Sequence, residues 1–152
     1  MQNEVKREER GARPATQRLR DILDVSREFE QQLGRELMVN PTDLAAMEHL
    51  IQNGPLAPTE LARRLGLSPA AITAAVDRLE RLGHATRTTN ADDRRGVIVT
   101  ATDTSRDRAM AMLLPMIFAV DATLDGFDAD EQATITVYLD RVLSAYRRFI
   151  QA

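Results

Sequence analysis

The chain has 152 residues, 43% of them apolar and 28% charged, which is enough for a packed core and too apolar for a disordered segment. It contains no cysteine, so a disulfide framework and a thiolate redox switch are both excluded, and a reducing, cytoplasmic setting is the simplest expectation. The formal charge of −3 is unfavourable for a phosphate-binding protein as a sum, but the charge is unevenly spread: Ala109 to Asp140 carries six acids and no base, while Glu60 to Arg108 carries nine arginines against seven acids.

Residues 1–14 are charged and lack an apolar run, which predicts a flexible tail rather than a secretory signal. From Ala15 to Met38, Leu19, Ile22, Leu23, Phe29, Leu33 and Leu37 recur with charges between them and predict one amphipathic helix. Asn40-Pro41 restarts the chain with a strong cap followed by a residue suited to a first helical turn, and Asn53-Gly54-Pro55 ends that second helix. A short third helix from Pro58 to Leu65 closes at Gly66. Ser68-Pro69 opens a fourth, which runs through Ile72, Val76 and Leu79 towards Gly83. Two short helices joined by a tight turn form a helix-turn-helix pattern.

Ala85 to Thr89 and Val97 to Ala101 are rich in β-branched residues and flank the charged, turn-forming loop Asn90 to Gly96, a β-hairpin pattern. Thr102 is positioned to cap a long helix reaching about Leu124, with Pro115 inside it. Asp128 and Glu131 form a capping-box pair, and Ile135, Leu139, Val142, Leu143, Tyr146 and Phe149 stripe the last helix. The longest apolar run, Ala109 to Val120, is shorter than the roughly 20 residues of a membrane span, so no membrane partner is expected.

The fold class expected is mainly α with a small β-hairpin: a winged helix-turn-helix region over residues 40–101, flanked by dimerisation helices over 15–39 and 102–152. The terminal helices are long and apolar relative to the surface one such chain can offer them, which favours a homodimer over a monomeric helical bundle.

Leu-Ala-x-x-Leu-Gly-Leu-Ser from Leu61 to Ser68, Leu-Glu-x-Leu-Gly from Leu79 to Gly83, and Asp93-Arg94-Arg95 resemble, in this order and spacing, the MarR family of bacterial transcriptional regulators. The resemblance extends over Ala15 to Phe149 and implies a protein that binds double-stranded DNA and is not an enzyme.

A helix of this kind fits the major groove with its first turns against base edges. Ser68 can cap the helix or contact DNA, Pro69, Ala70 and Ala74 permit close approach or contact with a thymine methyl, and Thr73 can meet a base or phosphate. Relatives usually carry a longer polar residue where Ala74 stands, which shifts the expected readout towards the hairpin and DNA shape. The resemblance makes Arg95 the residue inserted into the minor groove, with Arg94 beside it and Asp93 orienting it; the alternative is a solvated turn. Arg63, Arg64, Arg78 and Arg81 are candidate phosphate contacts.

The resemblance also implies a small-molecule effector, and the stretch Met110, Met112, Met116 and Phe118 could line its cleft or form plain core. His84 is expected at the end of the reading helix. His49 and His84 do not supply a structural zinc set, although a site built from a histidine and carboxylates stays open. The competing reading is a winged-helix module that binds proteins in place of DNA.

Overall fold

The computed structural model describes residues 11–89 and 96–150. Six helices and a two-stranded sheet follow in order: α1 (Pro14–Leu37), α2 (Pro41–Asn53), α3 (Pro58–Leu65), α4 (Pro69–Arg81), β1 (Ala85–Thr89), β2 (Val97–Ala101), α5 (Asp103–Ala122) and α6 (Ala129–Ile150). A short 3-10 turn, Thr123–Gly126, lies between α5 and α6. The chain divides into two compact units, Met1–Met110 and Ala111–Ala152.

In the first unit the starts of α2 and α4 follow from local chemistry. Asn40 Oδ1 accepts from the Asp43 backbone N–H at 2.9 Å, and Ser68 Oγ accepts from the Ala71 N–H at 3.2 Å, each satisfying a donor that has no partner within the helix. Proline occupies the first turn in both, as it does in α3, where no side chain caps the helix. Helix α3 ends at Gly66, whose φ of 63° is the left-handed conformation that glycine adopts without strain. This turn aims the chain into α4. At the end of α1 the chain folds back so closely that a Cβ on Gly34 would lie 3.1 Å from the Val39 carbonyl oxygen.

Leu33, Leu37, Met47, Leu50, Leu61, Ile72, Val76, Leu79 and Val99 are all buried and come from α1 through β2. Each such side chain contributes roughly 1.5–3 kcal/mol of burial, so together they fix α2, α3 and α4 around one core. Strands β1 and β2 pair antiparallel from Ala85↔Ala101 to Thr89↔Val97, with Ala85, Val99 and Ala101 facing inward. Leu56 adds a one-residue bridge to Val99, with N–H···O distances of 3.0 and 2.8 Å in the two directions.

Helix α5 is entered through Thr102, whose Oγ1 accepts from the Ser105 N–H at 3.3 Å and donates to the Gly83 carbonyl at 2.8 Å. It continues through Pro115. By length and composition alone the helical stretch Asp103–Gly126 could cross a membrane, an 18-residue window within it having a mean hydropathy of 1.4. The expectation of no membrane partner rested on the uninterrupted apolar run, which is shorter than this helix. Helices that pack in the core of soluble proteins meet the same criterion.

In the second unit α6 opens with a reciprocal box: Asp128 Oδ1 accepts from the backbone N–H groups of Asp130 and Glu131, and Glu131 Oε2 accepts from that of Asp128, all at 2.9 Å. Gln132 Nε2 donates to the carbonyls of Leu124 and Phe127, tying the preceding turn to α6.

Candidate nucleic-acid interface

Helix α4 buries Ile72, Ala75, Val76 and Leu79 and turns Pro69, Ala70, Thr73, Ala74 and Asp77 to the exterior. The inner face follows the helical repeat, so the outer face is set by the same periodicity. Ser68, at the N-terminal end, is exposed while serving as the cap. The Thr73 hydroxyl donates to the Pro69 carbonyl at 2.8 Å, so its proton is already engaged.

The arginines singled out in the sequence have different surroundings. Arg78 Nε and Nη2 donate to the two carboxylate oxygens of Asp43 at 2.9 and 2.7 Å. Its guanidinium therefore joins α4 to α2, and the hydrogen bonds from it raise its already high pKa. The buried Asp43 carboxylate claims two of the five Arg78 donors, so a phosphate contact by Arg78 would fall to the remaining ones.

Arg63 and Arg64 both hold Glu60, with Arg63 Nε 2.9 Å from Oε2 and Arg64 Nε 2.7 Å from Oε1. Their hydrogen bonds lower the Glu60 carboxyl to about 2. Arg64 also reaches Asn53 Oδ1 at 3.1 Å. Arg81 is exposed in the last turn of α4.

Arg87, on β1, is a residue the sequence reading passed over. It donates to Asp77 Oδ1 at 2.6 Å, to the Glu80 carboxylate and, at 3.4 Å, to the Thr73 carbonyl, while its backbone N–H reaches Glu80 Oε1 at 2.9 Å. Burial works against its charge, but the bonds to Asp77 and Glu80 outweigh it and the pKa rises. This fork fastens the first wing strand to α4. An arginine in a strand opposite acids one turn apart on a helix was the available signal.

Asp93, Arg94 and Arg95 lie outside the described residues. His84 follows the end of α4, as expected, and is buried there, with Nε2 2.8 Å from the Leu37 carbonyl and Nδ1 2.7 Å from Ser105 Oγ. A carbonyl only accepts, so Nε2 carries a proton and donates to Leu37. Among the described residues no group of three or more His, Asp or Glu could hold a metal ion.

Helices α1 and α2 form a groove of about 430 Å³ lined by residues including Glu30, Gly34, Val39, Leu44, Ala45 and Glu48. Burial, then the Glu30 charge, raises the Glu48 carboxyl pKa, against a lowering by His49.

A helical core of α2, α3 and α4 that presents α4 outward, followed by the two-stranded wing β1–β2, is a winged helix-turn-helix. Residues 39–96 match the family model described as MarR family, so over this region the chain is similar to that family.

The HTH-type transcriptional regulator YcgE of Bacillus subtilis is 34% identical over 88 residues, 58% of this chain and 57% of YcgE. The HTH-type transcriptional repressor MdtR of the same organism is 37% identical over 65 residues, 43% of this chain and 42% of MdtR. The matched stretches thus span less than two thirds of these relatives. The solved structure of an S. aureus MepR mutant bound to an oligodeoxyribonucleotide shares the fold with a TM-score of 0.62 at 15% identity, over 89% of this chain and 99% of that one.

Proposed function

We propose that this chain is a DNA-binding transcriptional regulator acting in the cytoplasm as a homodimer, a ligand-responsive repressor on a near-palindromic operator. The observation that carries the reading is α4: a helix with a capped, exposed N-terminal turn and small outward side chains, locked from behind by Arg78 and Arg87. Ser68, Pro69, Ala70, Thr73 and Ala74 would approach the major groove, with Arg95 in the adjoining minor groove and Asp93 and Arg94 beside it. The MepR mutant binds an oligodeoxyribonucleotide and MdtR is a repressor, which supports carrying both properties to this chain.

Dimerisation is supported by the second unit, where Ile117, Phe118, Val120, Leu139, Leu143 and Phe149 are exposed. Exposed large apolar side chains in such number, when they adjoin, mark an interaction site. The groove between α1 and α2 is a candidate effector site. None of Met110, Met112, Met116 or Phe118 lines it. An effector releases DNA only to the extent that it binds the non-binding conformation more tightly.

Selection from a random duplex pool, followed by anisotropy at several salt concentrations, tests the proposal. A symmetric enriched site with half-sites about 34–36 Å apart and affinity falling steeply with salt is expected. No enrichment and no salt-dependent binding would favour the protein-binding module.

A further inference from the structure

The exposed face of α4 is unusual in which hydrogen-bonding groups it offers. Thr73 and Asp77 are four residues apart and both exposed, so they stack one helical turn apart on the same face, bordered by Ala70 and Ala74. The Thr73 Oγ–H is committed to the Pro69 carbonyl at 2.8 Å, which leaves the oxygen lone pairs and the methyl group facing outward. The Asp77 carboxylate can only accept, and its side chain is 56% exposed. Of the long donors of α4, Arg78 is clamped on Asp43, and Arg81 lies four residues past Asp77, one turn further along the same face in the last turn of the helix.

We propose that α4 reads its half-site through acceptors, Thr73 Oγ1 and the Asp77 carboxylate, and therefore selects the exocyclic amino groups of adenine or cytosine in the major groove. The inference rests on the DNA-binding reading above. In the major groove only adenine N6 and cytosine N4 present donors, whereas guanine and thymine present acceptors there, which an acceptor surface cannot satisfy. Residues four apart on a helix are separated by roughly 5–6 Å, between one and two base-pair steps of about 3.4 Å each.

A carboxylate inside a groove lined by phosphates would ordinarily be repelled. Arg87 offsets this: its Nη2 lies 2.6 Å from Asp77 Oδ1 and supplies a compensating charge from the wing side, while the pair holds the carboxylate in one place. Asp77 is thus the specificity-determining residue and Arg87 the residue that positions it.

The test uses the full chain and two near-isosteric variants, Asp77→Asn and Thr73→Val, each selected against the same random duplex pool. The wild-type site is then remade with single base analogues that lack the exocyclic amino group, purine for adenine and 2-pyrimidinone for cytosine, and affinities are compared at fixed salt. The expected result is an amino-bearing base at two symmetric pairs of positions. Its analogue should weaken wild-type binding about tenfold, the scale of one good base contact, and should leave the matching variant unaffected. A consensus identical for all three proteins, or wild-type affinity indifferent to the analogues, overturns the acceptor reading while leaving DNA binding intact. Failure of the wild type to enrich any sequence overturns the DNA-binding reading and this inference with it.

Discussion

Arg78 on α4 grips the carboxylate of Asp43 on α2 with two hydrogen bonds, 2.9 and 2.7 Å, across 35 positions of sequence, and the two ends of the pair differ sharply in exposure. The Asp43 side chain is 2% exposed, whereas that of Arg78 is 37% exposed. Removing the arginine strands a buried carboxylate, while neutralising the carboxylate leaves a cation that can still reach water. Arg78→Ala should therefore lower Tm by more than Asp43→Asn does, by a margin of at least about 3 °C for a chain of this size. Thermal melts of both variants decide the matter, and the reverse order would show that the pair does not bear on stability in this way.

Glu60 gives a pH dependence of known sign. Hydrogen bonds from Arg63 and Arg64 hold its carboxyl at about 2, below the ordinary 4.5, so the folded protein takes up this proton less readily than the unfolded chain. The stabilisation is complete above the unfolded value and fades as pH falls from about 4.5 towards 2. Glu60→Gln should flatten that part of the Tm profile. Because the group is exposed, the difference should be small and should shrink in about 1 M salt, where the screening length is roughly 3 Å. Profiles that superimpose at low salt would remove the two arginines as a stabilising clamp.

His84 links three elements with one ring. It sits between the last residue of α1 and the first turn of α5, shortly after the end of α4. His84→Ala orphans a buried carbonyl and a buried hydroxyl and leaves a cavity, which together cost about 2–4 kcal/mol. Urea unfolding measures this, and a loss below about 1 kcal/mol would mean the site relaxes or takes in water.

The local signals in the sequence carry most of the fold. Asn40-Pro41 and Ser68-Pro69 announce helix starts because a cap and a first-turn proline act within three residues, and Gly66 and Gly83 mark turns for similarly local reasons. Asp128 and Glu131 were legible as a capping box on the same ground. Contacts set by tertiary packing were not legible. Leu56 pairs with Val99 as a single residue close to two prolines, too short for any alternation to show. The partners of Arg78 and His84 lie 21 to 47 positions away, and nothing in the spacing of charges selects Asp43 over the other acids. Within the interface, the composition of α4 suggested close approach, but the engagement of the Thr73 proton depends on backbone geometry.

Arg95 carries the hairpin's share of the proposed mechanism. A guanidinium entering a narrow minor groove meets enhanced negative potential, so its loss should affect operator binding and leave folding alone. Arg95→Ala is expected to weaken binding about ten- to a hundredfold with an unchanged circular dichroism spectrum and melting temperature. Affinity equal to wild type across several salt concentrations would take the hairpin tip out of the mechanism.

The last prediction concerns α6. Leu139, Leu143, Tyr146, Phe149 and Ile150 recur at three- and four-residue steps and are exposed, a pattern a lone helix in water does not favour. If a second copy covers this surface, light scattering on the wild type gives twice the 17.0 kDa chain mass. Deleting the segment after Asp128 should give monomer or aggregate and abolish operator binding, because one reading helix alone cannot engage both half-sites. Deletion also exposes whatever α6 covers, so a gentler variant is the better control. Leu143→Glu with Phe149→Glu keeps the helix and places charge in the proposed contact, and should yield a folded monomer with full helicity. A doubly substituted protein that remains a DNA-competent dimer would show that subunits meet elsewhere on the chain.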